Sequence, residues 1–217
     1  MSVFGYVQAG GGSTRFGTDK ALAQLAGKSI LERTCELLIP ICKSVRVVAP
    51  VDKYPYSPAP ILIDKWPGEG PLGGILTALY HADDFSRTLA GAPGVAEEAR
   101  TFCLILSCDM PFLTREWLVF LSERAAKKNT DVTVPKTENG LEPLCACWRT
   151  DAARAIQSAF DRKVRKVTEA MKRLRMEVLD EAAWKRFDTD GRLFWNMNTP
   201  EDYEEARKVI EERAGRG

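Results

Sequence analysis

Residues 101–107 read TFCLILS, the strongest strand signal in the chain. A strand sends alternate side chains to opposite faces, so an apolar run without alternation belongs where both faces are covered. This run is therefore expected at the centre of a sheet with helices on both sides. Shorter strand-like segments are Val3 to Gln8, Val45 to Ala49, Ile61 to Asp64, Asp131 to Pro135, Leu144 to Trp148 and a stretch around Val178. Helical patterns fall between most of them: Ser29 to Leu38 behind a serine cap, about Leu72 to His81, Thr114 to Lys128, Thr150 to Phe160, and a last helix from Thr199-Pro200 toward the C-terminus. Thr114 with Glu116 and Lys127, and Thr199 with Pro200, Glu201 and Asp202, place caps and charges where a helix dipole favours them. Alternating strands and helices imply an α/β fold, a Rossmann-like three-layer sandwich with a mainly parallel central sheet. At 217 residues and 45% hydrophobic, residues 1–217 are expected to form a single domain. Residues 89–100, rich in Ala, Gly and Glu, read as a surface loop, and the basic segment from Arg162 to Arg175 as a helix with a mostly solvated face.

Composition removes several function classes. Thirty-one Lys and Arg against thirty Asp and Glu leave a net charge of +1, so no overall field draws the chain to nucleic acid or to an acidic membrane. No uncharged run approaches the roughly 20 residues of a spanning helix, and no signal layout opens the chain, so the cytoplasm is the expected compartment. Cys35, Cys42, Cys103, Cys108, Cys145 and Cys147 lie in apolar segments without a CxxC spacing, which reads as reduced, mostly buried thiols rather than zinc ligands. His81 is the only histidine and reads as a polar residue near a helix end.

In parallel α/β sheets ligands sit beyond the carboxyl ends of the strands. Gly10 to Gly12, Asp64 and Asp109 each follow a predicted strand, so three polar features converge on one edge. The first of them opens the segment Gln8-Ala9-Gly10-Gly11-Gly12-Ser13-Thr14-Arg15-Phe16-Gly17-Thr18-Asp19-Lys20. Glycines let successive amides approach an anion closely, and Arg15 and Lys20 add positive charge beside it. A dinucleotide fingerprint starting at Gly10 fails because Arg15 stands at the third glycine position. A P-loop starting at Gly12 fails because Thr18 and Asp19 stand where Lys and Ser or Thr are required. A plain turn explains the glycines but not Arg15, Asp19 and Lys20.

The pattern ending in Arg15-Phe16-Gly17-Thr18-Asp19-Lys20 resembles the signature of the molybdenum cofactor guanylyltransferases, the MobA-type branch of the nucleotidyltransferases. The similarity continues at Gly70-Pro71-Leu72-Gly73-Gly74, Ser107-Cys108-Asp109-Met110-Pro111-Phe112-Leu113, Glu142-Pro143-Leu144-Cys145-Ala146 and Asn196-Met197-Asn198-Thr199-Pro200-Glu201-Asp202. Gln8 and Phe16 stand where the family usually has leucine and methionine, and Ala49-Pro50 where it often has an asparagine.

The resemblance implies the nucleotide-diphospho-sugar transferase type of fold and transfer of GMP from GTP to molybdenum-bearing molybdopterin, with release of pyrophosphate. It implies Arg15, Lys20 and Asp109 as catalytic residues, with Asp109 holding Mg²⁺. Gln8, Ala9, Gly10, Gly11, Gly12, Lys20, Asp64, Gly73 and Asp109 would bind the nucleotide, and Asn196, Asn198 and Arg165 the acceptor. Enzymes that insert or receive the finished cofactor are the implied protein partners. Alternative pairings on the same fold are a cytidylyltransferase for the same pterin and a sugar-phosphate nucleotidyltransferase. A non-catalytic nucleotide-binding accessory protein is the alternative of another class, and retention of Arg15, Lys20 and Asp109 argues against it.

Overall fold

The structure, a computed structural model, describes residues 2–10, 19–90 and 100–215. Gly11, Gly12 and Arg15 lie outside these, as does most of the expected 89–100 loop.

The central strand is β6 (Thr101–Ser107), with all seven residues buried as the unalternated run requires. Its side chains divide between two apolar layers: Phe102, Leu104 and Leu106 enter one, Cys103 and Ile105 the other. Ahead of it come β1 (Ser2–Gln8), β4 (Val45–Ala49) and β5 (Ile61–Ile63), with β2 (Gln24–Leu25) and β3 (Lys28–Ser29) forming a small separate hairpin. After it come β7 (Val132–Thr137), β8 (Gly140–Leu141), β9 (Cys145–Arg149) and β10 (Met176–Leu179). The main sheet runs β10-β7-β9-β6-β1-β4-β5, with β8 paired to β7.

Strands β6, β1, β4 and β5 are parallel neighbours, as are β7 and β10. Strand β9 is the exception, running antiparallel to both β6 and β7. The chain between Thr137 and Cys145 is too short for a parallel crossover, which takes about a dozen residues or more. It turns through β8 and returns in the opposite sense, so the sheet is mixed but mostly parallel.

Helices cover both faces. One layer packs against α1 (Ile30–Leu38), α3 (Arg115–Lys127) and α7 (Pro200–Ala214), the other against α2 (Pro71–Ala90), α4 (Ala153–Asp161) and α5 (Val167–Ala170). The capping signals act as expected. Ser29 and Glu32 form a capping box on α1, Thr114 caps α3, and Thr199 and Asp202 form a box on α7 behind Pro200. The short α6 (Glu181–Trp184) was not anticipated from the sequence; Asp180 caps it and Trp184 anchors it in the core.

Three local expectations change. Helix α2 continues past His81 to Ala90, because Ala78, Leu79 and Ala82 keep an unbroken buried stripe. His81 is therefore mid-helix; its Nδ1 lies 2.8 Å from the Tyr6 hydroxyl, and burial, then nearby Arg46, keeps the imidazole below its ordinary pKa. The segment 162–175 is not one helix. Arg162 ends α4 and Lys163 takes a left-handed conformation (φ 66°), so helical structure resumes only at Val167. Most of its basic residues are exposed, and Arg175 folds back on Asp131.

Five of the six cysteines are buried and Cys42 half-buried, all as free thiols. Burial pushes Cys35 and Cys42 up to about 12 and Cys108 well above the ordinary thiol value, so none is a nucleophile near neutrality. No helix among the described residues is long and apolar enough to cross a membrane.

Candidate active site

The carboxyl ends of β1, β4, β5 and β6 open onto one cleft of about 680 Å³. Its walls include Gln8, Ala9 and Gly10 after β1, Pro50 after β4, Asp64 after β5, and Ser107, Cys108 and Asp109 after β6. Lys20 and Asn198, bonded to each other, also line it, as do Pro67, Gly68, Gly70, Pro71 and Gly74. The convergence expected from strand order is thus realised by adjacent parallel strands ending at one edge.

The floor depends on close backbone approach. Gly10 has φ 152°, and a Cβ there would stand 2.9 Å from the Pro50 ring, so the departure from the family's asparagine leaves a proline packed against the loop. Gln8 reaches across to the start of α2, where its Nε2 donates to the Pro71 carbonyl at 3.1 Å. A Cβ on Gly74 would lie 2.8–3.0 Å from all three terminal atoms of that carboxamide. The amide therefore lies flat on the glycine.

Lys20 and Asp109, 89 positions apart in the chain, are joined by one intermediary. The Lys20 ammonium donates to the Met197 carbonyl at 2.7 Å and to Asn198 Oδ1 at 3.1 Å, while the Met197 amide donates to the Asp109 carbonyl at 2.7 Å. Met197 is fully buried and holds this segment in place. The Ser107 hydroxyl donates to Asp109 Oδ1; the second carboxylate oxygen has no hydrogen bond among the described residues. Glu142 stands close enough for the two carboxylates to interact, and its pKa is raised by burial first, against a 3.0 Å hydrogen bond from Thr137, with the Asp109 charge adding to the rise.

Asp19, at the end of the glycine-rich segment, caps the turn at Lys20–Leu22 by accepting from the Ala21 amide at 3.0 Å. It also accepts from Tyr54 at 2.8 Å and pairs with Lys53 at 2.9 Å. Burial opposes its charge, yet the bonds from Lys53, Tyr54 and Ala21 outweigh that and hold the carboxyl below the usual range. Asp64 lines the cleft while its Oδ1 accepts from the Trp66 amide and the Thr77 hydroxyl, both at 3.0 Å.

Of the residues singled out from sequence, Gln8, Ala9, Gly10, Lys20, Asp64, Asp109 and Asn198 meet in the cleft. Gly73, Asn196 and Arg165 are not among its walls. Gly73 packs under Trp66, the Asn196 side chain donates to the Phe194 carbonyl, and Arg165 pairs with Glu69. Sequence reasoning missed Ser107, Tyr54, Lys53 and Thr77 as supports. Only Ser107 left a signal, a hydroxyl two positions before the strand-end carboxylate.

Among the described residues, no three His, Cys, Asp or Glu side chains are grouped to hold a metal ion by themselves. The hard oxygen of Asp109 fits a cation whose remaining ligands are water and substrate phosphates, the usual arrangement for Mg²⁺.

Residues 5–176 match the family model described as MobA-like NTP transferase domain. A probable molybdenum cofactor guanylyltransferase of Chloroflexus aggregans is 30% identical over 93% of this chain and 92% of its own length. One from Carboxydothermus hydrogenoformans is 29% identical over 94% of each chain. The crystal structure of molybdopterin-guanine dinucleotide biosynthesis protein A from Archaeoglobus fulgidus superposes with a TM-score of 0.78 at 26% identity, covering 96% of this chain and 99% of that one.

Proposed function

Because the chain belongs to the MobA-like NTP transferase family, we propose that it transfers GMP from GTP to molybdopterin carrying molybdenum, forming the guanine dinucleotide and releasing pyrophosphate. The observation that carries this reading is the joining of Lys20 and Asp109 through Met197 in the walls of a cleft also lined by Gly10, Gly68, Gly70 and Gly74. That link runs through the Asp109 backbone carbonyl and ties two wall residues of one cleft together, a cationic group and a residue whose side chain offers a hard anionic oxygen, the two chemistries a polyphosphate with its counter-cation requires.

In the reaction a terminal phosphate oxygen of the acceptor forms a bond to the α-phosphorus of GTP, and the bond from that phosphorus to the β-bridging oxygen breaks. Pyrophosphate carries away the electron pair. The attacking phosphate is already ionised near neutral pH, so no strong general base is needed, in keeping with a cleft without histidine. Positioning and charge neutralisation are the main sources of rate.

Asp109, steadied by Ser107, is the residue to hold the divalent cation, Mg²⁺ on this reading, and the bound cation would supply charge neutralisation on the nucleotide phosphates. Lys20 offsets charge on the departing pyrophosphate, and Arg15 is assigned the same task from its place in the sequence. The backbone from Ala9 through Gly12 cradles the triphosphate. Gln8, Asp64, Gly70, Pro71 and Gly74, which line the same cleft, are assigned the base and ribose. Asn198, holding Lys20, faces the acceptor.

The test is incubation of the purified chain with molybdenum-loaded molybdopterin, Mg²⁺ and an equimolar mixture of GTP, CTP and ATP, scored by the dinucleotide formed. The guanine dinucleotide with stoichiometric pyrophosphate is expected. A cytosine dinucleotide, or no acceptor-dependent pyrophosphate, would overturn the assignment.

A further inference from the structure

The family resemblance assigns Arg165, in the basic segment after α4, to the acceptor, yet this one partly buried arginine of the segment is committed elsewhere. The left-handed turn at Lys163 brings Arg165 back over the end of α4, where its guanidinium lies 3.9 Å from the centre of the Phe160 ring. Its Nη1 donates to the Phe160 and Val164 carbonyls at 2.8 and 3.0 Å, and its Nε to the Glu69 carboxylate. Stacking and forked donation together fix the plane of the group.

Glu69 is the tip of a turn between Gly68 (φ 84°) and Gly70 (φ 77°), and both glycines line the cleft. The inner side of this turn is secured by Asp64 and Thr77. Among the described residues, Arg165 is the only side chain from outside the turn that bonds its tip. The Glu69 amide bonds the Trp66 carbonyl at 3.2 Å, but two left-handed glycines flanking a side chain with no other tie leave further backbone conformations open. Tying the tip restricts them before a ligand arrives, which lowers the ordering cost of binding.

We propose that Arg165 is a positioning residue for the nucleotide, holding the Gly68–Gly70 rim of the cleft through Glu69, and that it does not contact the acceptor. This rests on the reading of the cleft as a nucleotide site. The side chains are 30% and 46% exposed, so the ion pair contributes modestly and the effect on affinity is correspondingly limited.

The experiment measures KM for GTP, KM for the acceptor and kcat in E69Q, R165Q, R165K and the E69Q/R165Q pair, with GTP binding followed separately by calorimetry without acceptor. Each Gln variant is expected to weaken GTP about fivefold, with acceptor KM and kcat within about twofold. The double variant should be no worse than either single one, because one interaction is lost in all three. R165K, which keeps charge but not the stacked fork, should recover part of the loss. A rise in acceptor KM alone on R165Q with E69Q silent, or unchanged GTP binding in both, overturns the proposal. Failure of the unmodified protein to bind GTP at all instead sinks the reading of the cleft itself, and this inference with it.

Discussion

Gly73 and Gly74 are adjacent on the first turn of α2, yet adding one methyl group to each should have opposite consequences. At Gly73 the new Cβ would stand 3.0 Å from both the Cβ and the carbonyl oxygen of Trp66. These atoms belong to a turn secured by the Trp66 amide to Asp64 and by the Trp66 ring against Phe160, at 5.5 Å between centroids. Neither can retreat cheaply, so overpacking of about 1–3 kcal/mol exceeds the gain of about 0.5–1 kcal/mol from replacing a helical glycine. At Gly74 the Cβ would meet the Gln8 carboxamide at 2.8–3.0 Å, which is closer, but that group ends a flexible side chain and can swing aside. Doing so gives up the 3.1 Å bond to the Pro71 carbonyl, about 1 kcal/mol, which the helix gain nearly offsets. Gly73→Ala should therefore lower Tm by roughly 2–8 °C, with Gly74→Ala within about 2 °C of the parent. Nucleotide affinity should show a separate effect for Gly74→Ala. The displaced amide leaves the cleft floor and GTP binding weakens by roughly five- to tenfold, about one hydrogen bond. Differential scanning calorimetry and GTP titration on both variants measure these quantities. A Gly74→Ala protein that melts well below Gly73→Ala, or that binds GTP as the parent does, would show that the Gln8 carboxamide is not the neighbour that yields.

Lys20→Met should reduce kcat by about 10²-fold or more, the usual scale for removing a donor aimed at developing charge, while Tm falls by only a few degrees from loss of the Met197 and Asn198 bonds; steady-state turnover and melting on one preparation check both. Asp109→Asn should abolish stimulation by divalent cation over a full Mg²⁺ titration, and undiminished metal-dependent transfer would remove its role as ligand. Asp19→Asn should cost about 1–3 kcal/mol near neutrality, since Lys53 loses its charged partner. The Asp19 pKa is depressed by folding, so the unfolded chain takes up its proton first. Its contribution is present above the ordinary carboxyl value of about 3.9 and is lost as pH falls through the lower folded value. Denaturant melts of parent and variant should accordingly converge below about pH 4 and separate above it.

Much of the fold was legible because its signals are local. The both-faces-buried run at β6, the Ser29, Thr114 and Thr199 caps and the strand ends at Gln8 and Ser107 each depend on a few consecutive residues. The antiparallel return of β9 was also within reach, since the short chain from Thr137 to Cys145 forbids a crossover; the alternation elsewhere masked it. The end of α2 and the break in the basic segment were not, because tertiary packing of Ala82 and a single left-handed residue at Lys163 decided them.

Local sequence was enough for the order of the main strands and most of the helices, for the edge where Gly10, Asp64 and Asp109 meet, and for the family whose motifs occupy that edge. Packing in three dimensions decided which neighbours each group would have. It set Lys20 against Met197 and Asn198, laid Gln8 flat on Gly74, and turned Arg165 away from the cleft walls to Glu69. The physical reason is distance along the chain. Strand and cap formation are settled by torsions and hydrogen bonds among neighbours, while these contacts join residues 66 to 178 positions apart and exist only after two apolar layers have closed on one sheet.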